Sequence, residues 1–272
     1  IVDNVVKLSD ADRLELSNVL KTTKLSHITS LVKFLENRFK IVDILKLLVF
    51  DLKKFTDERN HVQKVIEDNY WLFGEQYHLV SADKNFEILL NNYYSHLEKN
   101  KKKPEKIDNK NKLQRPDIFI SRKSEIIDGS DPDLTIEENI IVELKRPSVI
   151  IGSEQFQQVE RYLRFIIEDE RFNSVTRTWK FILVGIKLDE YIKDLHVNQK
   201  EKGKKYLVQT IKNYEIYAMT WDDLFRIFTI KHKHLIDKLE FKSVVIEELE
   251  QKGINLNKEA TDFLTKIALS RN

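Results

Sequence analysis

The spacing of apolar residues in the first part of the chain predicts helices. Ser9 precedes Asp12 at the spacing of a helix cap, and Ser26 is placed to cap a longer helix that runs to about Phe50. The apolar positions of this longer helix approximate a heptad seam, formed by Leu31, Phe34, Ile41, Leu45 and Leu48. Two heptads do not decide between a helix that packs on its own domain and one that joins two copies or two domains. We expect a helical segment over residues 1–56.

The pattern then changes to mixed helix and strand. A helix is predicted over residues 57–73, with Gly74 as its stop, and it is followed by a short strand near Tyr77–Ala82 and a helix to about Leu97. Short runs of β-branched and apolar residues predict four further strands, over Asp117–Ser121, Asn139–Lys145, Lys180–Leu188 and Tyr214–Met219.

The connections complete the predicted architecture. The turn-rich stretch DGSDPD joins the first two of these four strands as a hairpin, and Ser153 is placed to cap a helix to about Asp169. Thr220 and Asp223 have capping-box spacing, and the tail from about His234 reads as helical. The order of elements predicts an α/β fold, in which helices flank a mixed sheet. We expect a main domain over residues 57–235 and a helical tail over 236–272.

Composition narrows the class of protein. Ten of the 272 residues are Gly or Pro (6 and 4), which argues against a strand-rich sandwich, and the absence of Cys fits a reducing cytoplasm. No apolar run reaches the length of a membrane span, and no signal peptide is recognisable. The net charge of +2 does not by itself indicate a nucleic-acid binder. Because the chain starts with Ile, we expect it to be a fragment of a longer protein.

Candidate chemistry lies on the two neighbouring strands in the middle of the chain. Strand side chains alternate between faces, so Glu143 and Lys145 point the same way, and Asp117 opens the adjacent strand. Two carboxylates and the main-chain carbonyl of Leu144 are hard oxygen ligands of the kind that Mg²⁺ takes, and Mn²⁺ is expected to substitute for it. An ammonium group beside such a metal can orient an attacking water and offset phosphate charge.

Each of these residue assignments has an alternative in the sequence. Glu-x-Lys occurs three times, but only the copy at Glu143 lies in a β-type run. Pro-Asp occurs twice, and we favour Asp117 over Asp133 because Asp133 stands in a turn, where Pro and Asp need no further explanation. On the next helix, Gln158 and Tyr162 are four residues apart beside an apolar stripe, so they either line the same cleft or are surface residues.

Together these residues resemble the PD-(D/E)xK nuclease superfamily. The finer resemblance is to the nuclease domain of Shedu-type anti-phage proteins, and a similar module forms the C-terminal half of prokaryotic GHKL ATPases related to the MORC proteins. It covers about residues 57–235 and is carried by the segments 69–74, 115–117, 142–147, 151–153, 158–162 and 178–181. The stretch between Asp117 and Glu143 is longer than the family pattern, which a hairpin insertion explains.

The resemblance implies a restriction-endonuclease-like fold and a Mg²⁺-dependent DNA nuclease in prokaryotic antiviral defence, acting as a homo-oligomer or in a larger protein. It implies metal ligation by Asp117 and Glu143, catalysis by Lys145, and cleft positions for Gln158 and Tyr162. It also implies an acidic residue on the early helix. We assign Glu67, with its neighbour Asp68 as the alternative.

Local charge supplies the expected contacts to DNA. Arg146 follows the metal strand and is the better candidate, whereas the lysine-rich segments Lys99–Lys112 and Lys200–Lys205 either contact phosphate or are solvated loops. His232 and His234 read as surface residues rather than metal ligands. The alternative function is a catalytically inactive module that keeps the fold for DNA binding or protein assembly.

Overall fold

The computed structural model describes residues 8–97, 113–125, 135–169, 172–174, 176–199 and 203–236. The main elements in chain order are α1 (Asp10–Thr22), α2 (Leu25–Lys46), α3 (Lys64–Asp68), β1 (His78–Ala82), α4 (Phe86–Leu97), β2 (Ile118–Glu125), β3 (Thr135–Leu144), β4 (Ile150–Ile151), α5 (Ser153–Glu168), β5 (Arg177–Gly185), β6 (Lys187–Leu188), α6 (Glu190–Gln199), β7 (Leu207–Ile211), β8 (Tyr214–Thr220) and α7 (Trp221–Ile236).

Six strands form one mixed sheet in the order β1-β2-β3-β5-β8-β7. The central strands β3, β5 and β8 run parallel, whereas β1 and β2 on one side and β7 on the other are antiparallel to their neighbours. The short strands β4 and β6 pair separately. Helices cover both faces of the sheet, so the predicted α/β class, with a mixed sheet flanked by helices and an N-terminal helical segment, is confirmed.

Side chains alternate between the two faces of each strand, so they form two hydrophobic cores, one on each face of the sheet. On one face, Val142 packs with Ile118, with the second half of α2 and with Phe225 and Phe228 of α7. On the opposite face, Ile141 packs with α4, α5 and α6. The central strands therefore present apolar side chains on both faces, as expected for parallel strands covered by helices on both sides.

The N-terminal helices differ along their length. Helix α1 has no buried residue, and α2 is buried only from Arg38 onward. Leu31 and Phe34 of the predicted seam are 58% and 53% exposed, whereas Ile41 and the later seam positions Leu45 and Leu48 are fully buried against the sheet. The last part of the 1–56 segment thus belongs to the same core as the sheet, while the first part presents an apolar surface.

Several predicted boundaries are corrected by the structure. The Ser9 hydroxyl accepts a hydrogen bond of 3.2 Å from the Asp12 amide and caps α1, but Ser26 is not a cap because α2 begins at Leu25. The predicted helix over 57–73 is three short pieces: a π-helical turn Glu58–Gln63, helix α3, and a 3-10 turn Tyr70–Phe73 that ends at Gly74. Uniform apolar spacing does not reveal such changes of pitch.

The C-terminal half contains more structure than the pattern predicted. The apolar run at 180–188 is two strands, because β5 ends at Gly185 and β6 pairs with β4 instead. Helix α6 and edge strand β7 lie between this run and β8 and were not predicted. Both carry a mixture of polar and apolar residues without a clean period. The capping box is confirmed, since Thr220 and Asp223 exchange hydrogen bonds at the start of α7.

Some predictions fall outside the described residues. These are the turn that contains Asp133, the Lys99–Lys112 segment, and the tail beyond residue 236. In the described ranges, no helix has the length and apolar character needed to cross a membrane.

Candidate active site

The register of β2 and β3 brings Asp117 and Glu143 to the same end of the sheet. The antiparallel pairing aligns Ile118 with Val142, and each acid is the next residue beyond that pair. The Asp117 carboxylate accepts a hydrogen bond of 2.7 Å from the amide of Leu144, which ties the start of β2 to the end of β3. Asp117 and Glu143 are 4% and 3% exposed. Two acids that are far apart in sequence therefore form one buried pair.

Lys145 lies on the same side as Glu143, as the alternation of the strand requires. Its Nζ is 2.6 Å from Oε1 of Glu143, and its amide donates a hydrogen bond of 2.8 Å to the carbonyl of Val184 in β5. The amide bond fixes the backbone at the end of β3, while the long side chain reaches back to the carboxylate. The ammonium group is therefore held at the buried pair.

Helix α5 closes the site with Gln158 and Tyr162. The amide nitrogen of Gln158 donates to Glu143 Oε1 at 2.6 Å, and its amide oxygen accepts from Lys145 Nζ at 2.9 Å. The Tyr162 hydroxyl donates to Glu143 Oε2 at 3.0 Å and accepts from Gln158 at 2.8 Å. The helix is amphipathic, with Val159, Tyr162 and Ile166 in the core, and Gln158 lies one turn before Tyr162 at helical i, i+4 spacing. Both side chains therefore belong to the cluster.

Burial disfavours the charged forms of both carboxyl groups. It is the largest cause that raises the pKa of Asp117, and the nearby charge of Glu143 raises that pKa further, against the lowering effect of the Leu144 amide. The pKa of Glu143 is also raised, because burial outweighs the opposing effects of Lys145 and Tyr162. Burial likewise raises the pKa of Tyr162, so its hydroxyl stays protonated and remains a donor.

The acidic residue that the early helical region brings to the cluster is Glu58, not the predicted Glu67. The charge of Glu58 raises the pKa of both Asp117 and Glu143, and its Oε2 accepts a hydrogen bond of 2.7 Å from the Arg146 amide. Glu58 is the first residue of the π-helical turn, next to the N-cap Asp57. Sequence reasoning missed it because a continuous helix was assumed.

Glu67 has different surroundings. Its carboxylate accepts a hydrogen bond of 3.0 Å from Gln63, and the charges that act on it are those of Asp68, Asp83 and Lys84. Gln63 in turn approaches the main-chain oxygen of Asp117 at 3.4 Å. Glu67 is thus linked through Gln63 to the backbone of Asp117 and not to the Asp117 carboxylate.

The chemistry of the donor set fits a hard divalent cation. The charges that act most strongly on Asp117 are two carboxylates, Glu143 and Glu58, and one ammonium, Lys145, so negative charge is in excess. Asp117, Glu143 and the adjacent carbonyl of Leu144 offer oxygen ligands, and Mg²⁺ needs only one or two carboxylates because it keeps several waters. In the described ranges, no group of three or more His, Cys, Asp or Glu side chains is arranged as a metal site.

The predicted DNA contacts lie in different places. Arg146 is exposed and follows Lys145 in the chain, and its main-chain amide donates a hydrogen bond to Glu58. Lys204 is ion-paired with Glu215, and Lys205 lies 5.0 Å over the ring of Tyr206, while Lys200 is outside the described residues. Of these basic residues, Arg146 is the one whose backbone contacts an acidic residue of the cluster.

His232 is not a surface residue as predicted. Its ring is half-buried because it packs against the rings of Phe228 and Phe39, with 4.3 Å and 6.3 Å between the ring centroids.

Comparison of the chain with models of protein families, with curated proteins and with solved structures found no match.

Proposed function

We propose that this chain is a Mg²⁺-dependent nuclease domain of the PD-(D/E)xK type that hydrolyses phosphodiester bonds in DNA. The observation that carries the proposal is the buried cluster of Asp117, Glu143 and Lys145 at one end of two neighbouring strands. Carboxyl groups with raised pKa beside a lysine are typical of catalytic sites. The resemblance of the Arg115–Asp117 and Val142–Pro147 segments to that superfamily supports the same reading.

Each residue then has a defined task. Asp117, Glu143 and the carbonyl of Leu144 would hold Mg²⁺, which when bound polarises a phosphoryl oxygen and activates water for attack. Lys145 offsets the growing negative charge of the phosphate and orients the attacking water. Gln158 accepts from Lys145 and donates to Glu143, so it sets the distance between the two. Water and the phosphodiester yield a phosphate monoester and an alcohol.

The choice of DNA as substrate and the biological setting rest on the resemblance. Arg146, exposed beside the cluster, is the proposed contact to the DNA backbone. We place the activity in prokaryotic anti-phage defence in the cytoplasm, within a homo-oligomer or a larger multidomain protein. The exposed apolar residues Leu14, Leu31 and Phe34 offer a surface for such assembly.

The test is DNA cleavage by the purified chain. Wild-type protein with Mg²⁺ is expected to cut plasmid DNA, and Lys145→Ala to reduce the rate by more than about a hundredfold without loss of the folded circular-dichroism spectrum. Lys123→Ala is the matched control, because Lys123 is an exposed lysine on β2 whose register partner is Glu137. Undiminished cutting by Lys145→Ala would reject the site.

A second candidate function is a catalytically inactive module with the same fold. The direct contact between Lys145 and Glu143 favours it, since the ammonium already occupies one side of the carboxylate. Calorimetry with Mn²⁺ separates the two functions. A nuclease is expected to bind Mn²⁺ through Asp117 and to lose the site in Asp117→Ala, whereas absence of binding to the wild type supports the inactive module.

A further inference from the structure

A second concave surface lies on the face of the sheet opposite the carboxylates. It is a cavity of about 480 Å³ whose floor includes Ile140 of β3 and Ile182 of β5. Ile140 and Glu143 are an odd number of residues apart on one strand, so their side chains point to opposite faces. This volume is in the range of about 300–1,000 Å³ that is usual for small-molecule sites. The cavity is therefore separate from the carboxylate cluster.

Aromatic rings form much of its wall, namely Trp71, Phe73, Tyr77, Tyr206, Tyr217 and Phe228. Two of the rings are fixed by their hydroxyl groups, since Tyr77 donates to Glu138 at 2.7 Å and Tyr217 donates to Glu215 at 2.6 Å. Gly74 has a φ of +154°, and a Cβ at that position would lie 2.5 Å from the ring of Tyr77. Glycine thus permits the loop to approach the ring, and the wall is preformed.

Lysine side chains also line the cavity. Lys180, Lys205 and Lys231 are the lysines of the lining, and the acidic residue among the lining, Glu75, is ion-paired with Arg38. In the described part of the chain, Lys205 and Lys231 form no ion pair, and Lys205 lies over the ring of Tyr206. The ammonium groups of these two exposed lysines are therefore available to an anionic ligand.

We propose that this cavity binds a nucleoside phosphate. Fixed aromatic rings stack on the flat faces of nucleobases without regard to sequence, and lysine ammonium groups bind phosphate. The volume accommodates one nucleotide rather than a duplex. Two segments that the carboxylate cluster does not use, Asn69–Gly74 and Thr178–Phe181, supply part of the wall and Lys180.

The experiment is calorimetry of the full chain with ATP in EDTA, which removes any contribution of a metal centre. ATP is expected to bind at least tenfold more tightly than adenosine or tripolyphosphate. Adenosine lacks the phosphates that the lysines would bind, and tripolyphosphate lacks the base that the aromatic rings would stack on. ATP is also expected to quench tryptophan fluorescence, since Trp71 lines the cavity while Trp179 and Trp221 are fully buried.

Three variants locate the ligand. Lys231→Glu is expected to weaken ATP binding at least tenfold, and Lys233→Glu, an exposed position two residues further along α7 that does not line the cavity, to change it less than twofold. Lys145→Ala is expected to keep the wild-type affinity, whether or not that variant has lost DNA cleavage. The binding test therefore stands independently of the proposed nuclease activity.

A 5′-phosphorylated single-stranded hexathymidylate distinguishes the two sources of a nucleoside phosphate. If it binds more tightly than ATP, with the same dependence on Lys231, then the occupant is the end of a strand; if ATP binds more tightly, it is a free nucleotide. Three results would overturn the proposal: no binding of either probe at millimolar concentration, equal affinity in Lys231→Glu, or loss of binding in Lys145→Ala.

Discussion

Two glutamates of strand β3 have opposite electrostatic surroundings. Glu138 accepts hydrogen bonds from Arg122 and from the Tyr77 hydroxyl, and the bond from Arg122 is the largest cause that lowers its pKa. Glu143, further along the same strand, is almost fully buried, and its pKa is raised although Lys145 is 2.6 Å away. Both carboxylates accept hydrogen bonds, but only at Glu143 does burial outweigh them and raise the pKa.

The difference separates a structural ion pair from a candidate catalytic group. The Glu138 side chain is 20% exposed and meets a guanidinium, which matches a carboxylate in geometry, so its charge is stabilised in the folded chain. Glu143 lies near Asp117 and Glu58, so folding brings several carboxylates close together. Their ionised forms therefore lower the free energy of unfolding. A cost of this kind is typical of functional sites.

The largest expected effect is a difference in DNA cleavage between variants of Glu143 and of Glu138. Glu143→Gln is expected to lower the rate of Mg²⁺-dependent DNA cleavage by more than about a hundredfold, because a proposed metal ligand is lost. Glu138→Gln is the matched variant on the same strand, and it is expected to stay within about threefold of the wild type. Equal losses in both variants would mean that fold disruption, rather than chemistry, explains the effect.

A smaller effect is expected for the acidic residues of the early helical region. Glu58→Gln should lower the cleavage rate roughly tenfold to a hundredfold, because Glu58 adds charge to the cluster and fixes the Arg146 amide. Glu67→Gln should change the rate less than about twofold. A larger loss in Glu67→Gln than in Glu58→Gln, measured under single-turnover conditions, would restore the assignment made from sequence.

Stability provides an independent readout without metal. At pH 8 in EDTA, Asp117→Asn is expected to raise the melting temperature, because it removes a buried charge that burial and Glu143 destabilise. Each kcal/mol corresponds to roughly 2–4 °C in a domain of this size. Glu138→Gln is expected to lower the melting temperature, since it removes a satisfied charge. A fall in Asp117→Asn would mean that the Asp117 charge stabilises the fold.

The smallest expected effect is the pH dependence of the difference in melting temperature between Asp117→Asn and the wild type. A raised pKa means that the folded chain holds its proton where the unfolded chain has lost it, so stability falls as pH rises above about 4. The advantage of Asp117→Asn should therefore shrink toward zero as the pH is lowered to about 4. Glu138 has the opposite sign, because its stabilisation is complete above about pH 4.5 and is lost as the pH falls through its lowered pKa.

Local patterns were sufficient for part of the site. The alternation of β3 put Glu143 and Lys145 on one side, and helical spacing put Gln158 and Tyr162 together, and the structure brings all four into one hydrogen-bonded cluster. These are relations within single elements, where backbone geometry alone sets the direction of a side chain. The preference for Asp117 rested on the expectation that its strand is a neighbour of β3, which the register bears out.

The predictions that failed concern the early helical region and two elements that lie against the sheet. Glu67 and Glu58 are both acidic residues in the same helical region, but Glu58 lies in a π-helical turn and Glu67 in the α-helix that follows, and only Glu58 acts on Asp117 and Glu143. Helix α6 and strand β7 were missed because their stability comes from packing on the sheet rather than from their own pattern. The aromatic cavity likewise combines residues from distant parts of the chain.

The amino-acid sequence by itself determined the fold class and which residues share a face of a strand or helix, because periods of 2 and 3.6 are properties of the local backbone. Only the tertiary structure decided which charges meet, how deeply they are buried and therefore in which direction their pKa values move. Those outcomes depend on strand register, changes of helical pitch and the exclusion of water, which arise when separate elements pack together.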